Sequence, residues 1–299
     1  MNRLSDNFTG TRRSIIRNAL TVDVEDYFQV GALSSAVEPG DWDRWPSRVE
    51  RNTDRLLELF AEHGASATFF VLGWIAERYP GLVLRIRDAG HEIASHGYSH
   101  QLVYTQSPAT FRQETARSKE LLEDILGTPI TGYRAASYSI TPASRWALDI
   151  LVELGFSWDS SLFPIRHDVY GMPGSPELPY RLQTPNGGEL VEFPLSTLRL
   201  FGQRLPIAGG GYFRLFPYWF SQWGLDRINR NGNPFIFYLH PWEIDPDQPR
   251  VDNLSLKSRF RHYTNLARCE RRLEALISRF RFGRVRDVLD DLALLPDRP

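Results

Sequence analysis

Short apolar runs rich in β-branched and aromatic residues alternate with helical patterns along most of the chain, and this alternation limits its fold most. Asn18–Val24 reads as a first strand, and Ser47 caps a helix whose apolar positions Val49, Leu56, Leu57 and Phe60 recur at helical spacing until Gly64. Ala67–Leu72 is an unbroken apolar run, as a strand covered on both faces requires. A helix from Pro80 to Gly90 leads to a strand at His91–Ser95, and a longer helix, Pro108–Leu126, to a short strand around Gly132–Arg134. Further helix–strand pairs are expected at Pro142–Leu154 with Phe156–Asp159 and at Pro217–Asn229 with Pro234–Leu239. Between Ser160 and Gly211 only Leu190–Pro194 reads as a strand, and the tail holds helices near Tyr263–Phe280 and after Arg284. Strands separated by helices pair in parallel through right-handed crossovers. Seven or so such units favour an α/β barrel over an open sheet.

Ionisable residues fall at the ends of these strands. Asp23, Glu25 and Asp26 close the first, His96 and His100 follow the strand at His91, and Arg134 follows the one at Gly132. Asp159 and His240 end two more. Active sites of such barrels lie at the C-terminal ends of the strands, so five separate strand ends converge on one face.

The bulk composition is that of an ordinary globular chain, with 42% hydrophobic and 24% charged residues. The formal net charge of -1 favours neither nucleic acid nor an acidic substrate. A single cysteine, Cys269, excludes an internal disulfide or a cysteine-based zinc site. No apolar stretch is long enough to span a membrane, and residues 1–17 read as a disordered lead without a signal-peptide core. The expected compartment is therefore the cytoplasm. Aromatic content is 13%, and several rings sit among polar residues, as in sugar-binding clefts.

His96 and His100 form an i, i+4 pair that, on a helical turn, suits one divalent metal. Two histidines and one carboxylate leave a coordination position open for water. The Asp23-Val-Glu-Asp26 cluster supplies the carboxylate, since three acids within four residues repel one another without a cation. Asp23 and Glu25 share a face if the strand continues; Asp26 joins Asp23 if the chain turns. The other histidines invite simpler readings: His91 structural, His63 and His262 on solvated helix faces, and His167 lining a substrate groove.

Thr21-Val-Asp-Val-Glu-Asp26, Ser95-His-Gly-Tyr-Ser-His100, Gly132-Tyr-Arg-Ala-Ala-Ser137, Trp158-Asp159 and Tyr238-Leu-His240 resemble, in order and spacing, the five motifs of the NodB-homology polysaccharide deacetylases. The flanking Asp26-Tyr-Phe-Gln-Val, Phe163-Pro-Ile-Arg-His-Asp-Val-Tyr-Gly and His240-Pro-Trp-Glu are similar to a subgroup from exopolysaccharide loci tied to exosortase systems. The resemblance implies a distorted barrel of about seven strands over residues 18–299, with 241–299 as a C-terminal extension packed on it. It also implies one divalent metal, usually Zn2+, and removal of N-acetyl groups from amino sugars of a polysaccharide or its lipid-linked precursor. Peripheral contact with a membrane polysaccharide-synthesis complex would follow.

Carried over by position, Asp23 is the general base, and His96 and His100 are metal ligands. Arg134 orients Asp23, His240 is the general acid, and Asp159 orients His240. Ser137 and Tyr138 frame the oxyanion site, and Trp242 lines the substrate site. The family's adjacent Asp-Asp is Asp-Val-Glu-Asp here, so the third ligand is Glu25 or Asp26, with Glu25 preferred by analogy. Ala136 stands where the third motif commonly has proline. Two rivals remain open: a metal-independent amidohydrolase of the same fold acting on a small amide, and a non-catalytic glycan-binding barrel.

Overall fold

The computed structural model describes residues 16–167 and 170–295. The first half is a run of β/α units: β1 (Arg17–Val24), α1 (Val49–Glu62), β2 (Thr68–Val71), α2 (Gly73–Arg78), α3 (Pro80–Asp88), β3 (Glu92–Ser95), α4 (Pro108–Leu126), β4 (Gly132–Tyr133), α5 (Trp146–Glu153) and β5 (Trp158–Asp159). Two hairpins follow, β6 (Tyr180–Gln183) with β7 (Glu189–Glu192) and β8 (Thr197–Leu200) with β9 (Gln203–Pro206). Then come α6 (Gly210–Leu215), α7 (Tyr218–Arg230), β10 (Ile236–Leu239), α8 (Leu256–Tyr263), α9 (Leu266–Arg279), β11 (Arg281–Gly283) and α10 (Val285–Asp291). Of the lead expected over residues 1–17, residues 1–15 lie outside the described residues, and Arg17 already belongs to β1.

The main sheet runs β10-β1-β2-β3-β4-β5-β7-β6, with β11 also paired to β1. The seven strands from β10 to β7 are parallel to their neighbours, and β6 returns antiparallel. Among the described residues no ladder joins β7 to β10. The free edge of β10 is met instead by side chain and loop: the Ile236 amide donates to Ser196 Oγ at 2.9 Å and the Tyr238 amide to the Ala208 carbonyl at 2.9 Å. This irregular seam fits the distorted α/β barrel expected from the sequence.

Alternation along β1 sorts its side chains. Leu20, Val22 and Val24 face the helices, in one apolar cluster with Leu56 and Phe60 of α1 and Val83 and Ile86 of α3. Burying each such side chain contributes roughly 1.5–3 kcal/mol. Ala19 instead joins an interior cluster with Phe70, Trp158, Val191 and Ile236, which fills the barrel. Val285, Val288 and Leu289 of α10 belong to that cluster too. The Val285 amide donates to Thr68 Oγ1 and the Arg286 amide to Glu92 Oε2, at the beginnings of β2 and β3. Helix α10 thus plugs the N-terminal mouth, and among the described residues the C-terminal ends of the strands stay open.

The stretch from 160 to 211 holds more structure than its sequence suggests. Strands β6, β8 and β9 are four residues each and partly exposed, so they carry no apolar run to signal them. The tail helix expected near Tyr263–Phe280 is α9, and a further short helix, α8, precedes it, parted from it by Thr264 and by Asn265, whose φ is 58°.

Candidate active site

Odd-numbered side chains of β1 point into the barrel, and the series Thr21, Asp23, Glu25 reaches its open mouth. Arg134, wholly buried after β4, donates from Nη1 to Asp23 Oδ1 at 2.7 Å and to Thr21 Oγ1 at 2.8 Å. Its Nη2 and Nε reach Ser160 Oγ and the Ser160 carbonyl at 2.9 and 3.1 Å, and its guanidinium lies 4.0 Å from the centre of the Phe70 ring. The Tyr138 hydroxyl donates to Asp23 Oδ2 at 3.3 Å. Burial raises that hydroxyl's pKa well above its usual value, so it keeps its proton.

Glu25, His96 and His100 each present one ligand atom, all within 4.8 Å of one another. His96 Nδ1 is engaged by the Arg134 carbonyl at 2.8 Å, which leaves Nε2 for the cluster. His100 Nε2 lies 2.8 Å from Glu25 Oε2, yet that buried oxygen has no hydrogen-bond partner. Two close lone-pair atoms on buried side chains suit a shared cation, and this donor set fits a divalent metal. Burial pushes His96 down to about 4, so its imidazole stays neutral as a ligand must. Glu25 is held at about 2: burial would raise it, but His100 and His240 outweigh burial.

The histidine pair is not helical. A bend carries it, with φ of 73° at Gly97 and 53° at His100, and it brings the two ring centres to 5.4 Å. The start of α2 holds this bend, the Gly73 and Trp74 amides donating to the Gly97 and Tyr98 carbonyls at 2.8 and 3.0 Å. A Cβ at Gly73 would come within 2.6 Å of the Tyr98 ring, so glycine is required there. Ser137 and Tyr138 also have positive φ, 50° and 54°. Of the seven non-glycine residues with positive φ among the described residues, three therefore stand at this site, where backbone strain tends to concentrate.

His240, at the end of β10, places Nε2 3.2 Å from Glu25 Oε1 and 3.9 Å from Asp23 Oδ2. Its Nδ1 meets Glu243 Oε2 at 3.0 Å, and Glu243 Oε1 accepts from Arg214 Nε at 2.6 Å. Arg214, 1% exposed, also donates to the carbonyls of Arg261, His262 and Thr264. Burial would lower the pKa of His240, but Glu25 and Glu243 outweigh it and raise it to about 9. Glu243 sits at about 2, the effect of burial being overcome by Arg214 and His240. Trp242 stacks on His240 with centroids 5.2 Å apart, and on its other side stacks His262 at 4.3 Å.

Two expectations need correction. Asp26 does not face the metal cluster: its carboxylate accepts from the Ser47 hydroxyl and from the Tyr27, Arg48 and Val49 amides, capping the start of α1. Three donors at the start of α1, with the neighbouring Tyr27 amide, hold it there. Nor does Asp159 orient His240, since among the described residues the carboxylates within 4.0 Å of that imidazole belong to Asp23, Glu25 and Glu243. Asp159 is instead the register partner of Glu192 across β5 and β7. Burial drives both acids upward, Asp159 to about 6, so the pair retains a proton.

Among the remaining histidines, His91 accepts from the Ala67 amide at 3.1 Å, as a structural residue should. His262, expected in solvent, is 1% exposed and bonded through Nε2 to Gln248 Oε1 at 2.6 Å. His167 stacks on Tyr170 at the cleft wall.

Arg214 and Glu243 escaped the sequence reading. Glu243 had a signal: in His240-Pro-Trp-Glu, proline at the first turn position and an acid at the third are a capping-box pattern, and here the Glu243 side chain bonds back to the His240 amide. Arg214 had none. The site opens into a cleft of about 930 Å³ lined by aromatic residues including Trp42, Tyr104, Tyr170 and Tyr212.

Residues 41–156 match the family model "Polysaccharide deacetylase", and residues 160–290 match "Domain of unknown function (DUF3473)". A peptidoglycan deacetylase of Helicobacter pylori is 31% identical over 133 residues, 44% of this chain and 44% of that protein. The chain thus spans less than half the length of this curated relative. A solved Mycobacterium smegmatis structure assigned as a polysaccharide deacetylase superposes with a TM-score of 0.62 at 22% identity, covering 95% and 94% of the two chains. An allantoinase superposes with a TM-score of 0.59 at 17% identity over 99% and 100%. These likenesses establish the shared fold, and the match to the polysaccharide deacetylase family model is carried by residues 41–156, about two fifths of the chain.

Proposed function

We propose that the protein is a divalent-metal-dependent deacetylase that removes acetyl groups from N-acetylated amino sugars of a polysaccharide or its lipid-linked precursor. The observation that carries this reading is that Asp23 and His240 stand together beside the cluster of Glu25, His96 and His100 donors. Glu25, His96 and His100 would hold the ion, most simply Zn2+. When bound, such an ion supplies polarisation of the acetamide carbonyl and acidification of a water.

The chain's own residues then divide the proton transfers. Asp23, oriented by Arg134 and Tyr138, takes the proton of the attacking water. His240 enters the reaction protonated and gives its Nε2 proton to the departing amine, which cannot leave as an anion. Glu243 occupies Nδ1 and so fixes which nitrogen faces the substrate. The backbone around Ser137 borders the carbonyl oxygen as it gains charge. The aromatic walls of the cleft, with Trp242 behind His240, suit the apolar faces of pyranose rings.

The similarity of the flanking motifs to the exopolysaccharide subgroup supports a role in exopolysaccharide synthesis on the cytoplasmic side. Finding the protein outside the inner membrane would contradict that placement. The decisive experiment measures acetate release across a panel of N-acetylated glycans, with metal content read on the same sample. Activity should track bound metal, vanish on chelation and return with Zn2+. Turnover that survives complete chelation would assign the site to a metal-independent amidohydrolase. No release from any glycan would favour a binding barrel.

A further inference from the structure

We infer that α8, at the mouth of the cleft, docks the protein on an anionic lipid surface. Helix α8 reads Leu-Lys-Ser-Arg-Phe-Arg-His-Tyr, with three cations and no acid in two turns. At about 100° per residue, Leu256 and Phe260 form one ridge and His262 lies nearly opposite. His262 is the buried side, 1% exposed, whereas Leu256 is 86% and Phe260 59% exposed. Lys257 and Arg261 flank the ridge on one side and Arg259 on the other.

No carboxylate pairs with any of these three cations among the described residues, although most other arginines of the barrel surface are in ion pairs. An exposed leucine and phenylalanine bordered by unpaired cations is the pattern of a helix lying in a membrane interface. Apolar side chains enter the acyl boundary, and the cations meet anionic headgroups. A soluble anionic glycan would use the cations and leave the Leu256–Phe260 ridge in water, so the lipid surface accounts for more of what is exposed.

The position of the helix gives the contact a consequence. Lys257, Ser258 and Arg261 line the cleft, while Leu256 and Phe260 do not. Docked by its ridge, the helix sets the cleft mouth at headgroup level, where the glycan of a membrane-attached chain emerges. The inference stands on α8 and not on deacetylation, so either can fail alone.

The test is co-sedimentation of the full chain with vesicles of phosphatidylcholine alone or with about one-third phosphatidylglycerol, at about 50 mM and about 500 mM salt. Binding should require the anionic lipid, and the higher salt should reduce it strongly. Leu256→Asp/Phe260→Asp should lower partitioning at least about tenfold, and each of Lys257→Gln, Arg259→Gln and Arg261→Gln about fivefold. Circular dichroism and acetate release from a soluble oligomer should be unchanged in the Leu256/Phe260 variant, which shows that the fold and site survive. Equal binding to neutral and anionic vesicles, or no loss in that variant, would overturn the inference. So would a vesicle-free dimer that the same double substitution dissociates, since the ridge would then belong to a second copy.

Discussion

The two sides of the site are built alike in chemistry and differently in architecture. On the base side, Asp23 is held by Arg134, the two meeting across the barrel mouth from the ends of β1 and β4, which β2 and β3 separate in the sheet. On the acid side, His240 is held by Glu243 and Glu243 by Arg214, which is itself pinned by carbonyls between α8 and α9. Each side buries one arginine almost completely. The base side rests on strand geometry that any such barrel must have. The acid side rests on short helices and turns within residues 160–290, outside the deacetylase match. Half of the proposed proton chemistry would therefore be positioned by residues that match a domain model of unknown function.

Breaking the base side should have the largest effect. Asp23→Asn keeps an oxygen for Arg134 but cannot take a proton, and acetate release should fall about 10³-fold with the fold intact by circular dichroism. Unchanged turnover would sink the deacetylase reading and leave a glycan-binding barrel.

The acid side is sharpened by setting two substitutions against each other. Glu243→Gln should cost about 10²-fold in kcat, because His240 loses the carboxylate that keeps it protonated and oriented. Asp159→Asn should change kcat little, as its neighbour is Glu192. A larger loss for Asp159→Asn than for Glu243→Gln would reverse the assignment and restore the motif-based one.

The smallest effect concerns the ring stack behind the acid. His262 is pushed down to about 3, first by burial and then by Arg214, with Glu243 opposing. An unfolded histidine binds its proton near pH 6.5. Between about pH 6.5 and pH 3 the unfolded chain thus holds a proton that the folded His262 refuses, and stability falls as pH falls. The slope this residue contributes approaches ~1.4 kcal/mol per pH unit. Denaturant melts of wild type and His262→Gln should show a shallower acid limb in the variant. Parallel limbs would remove His262 as the cause.

Much of this was legible in the sequence because it depends on periodicity. The runs at Asn18–Val24, Ala67–Leu72 and Pro234–Leu239 announce buried parallel strands, and the ionisable residues at their ends announce the site. The histidine pair was legible as a pair but not as a conformation, since a bend with positive φ at Gly97 and His100 brings the rings together as well as a helical turn would. The four-residue strands β6, β8 and β9 were not legible, because half-exposed strands of that length carry no hydrophobic run. His262 was misread because α8 is amphipathic in the opposite sense to the usual: its apolar ridge is exposed and its histidine buried.

The choice among Asp23, Glu25 and Asp26 separates what sequence and tertiary structure each decide. From the sequence alone, three acids end a strand near two histidines, and alternation puts Asp23 and Glu25 on one face if the strand continues. Tertiary structure decides the rest: Ser47, Arg48 and Val49 arrive at the start of α1 and take Asp26 as its cap. A carboxylate goes where the most donors converge, and those donors lie about twenty residues away along the chain. The partner of His240 was settled in the same way. Glu192 claims Asp159 from the neighbouring strand, and Glu243 meets His240 because a proline-initiated turn folds it back. Local pattern decides which residues reach the mouth of the barrel; contacts distant in sequence decide which of them face the chemistry.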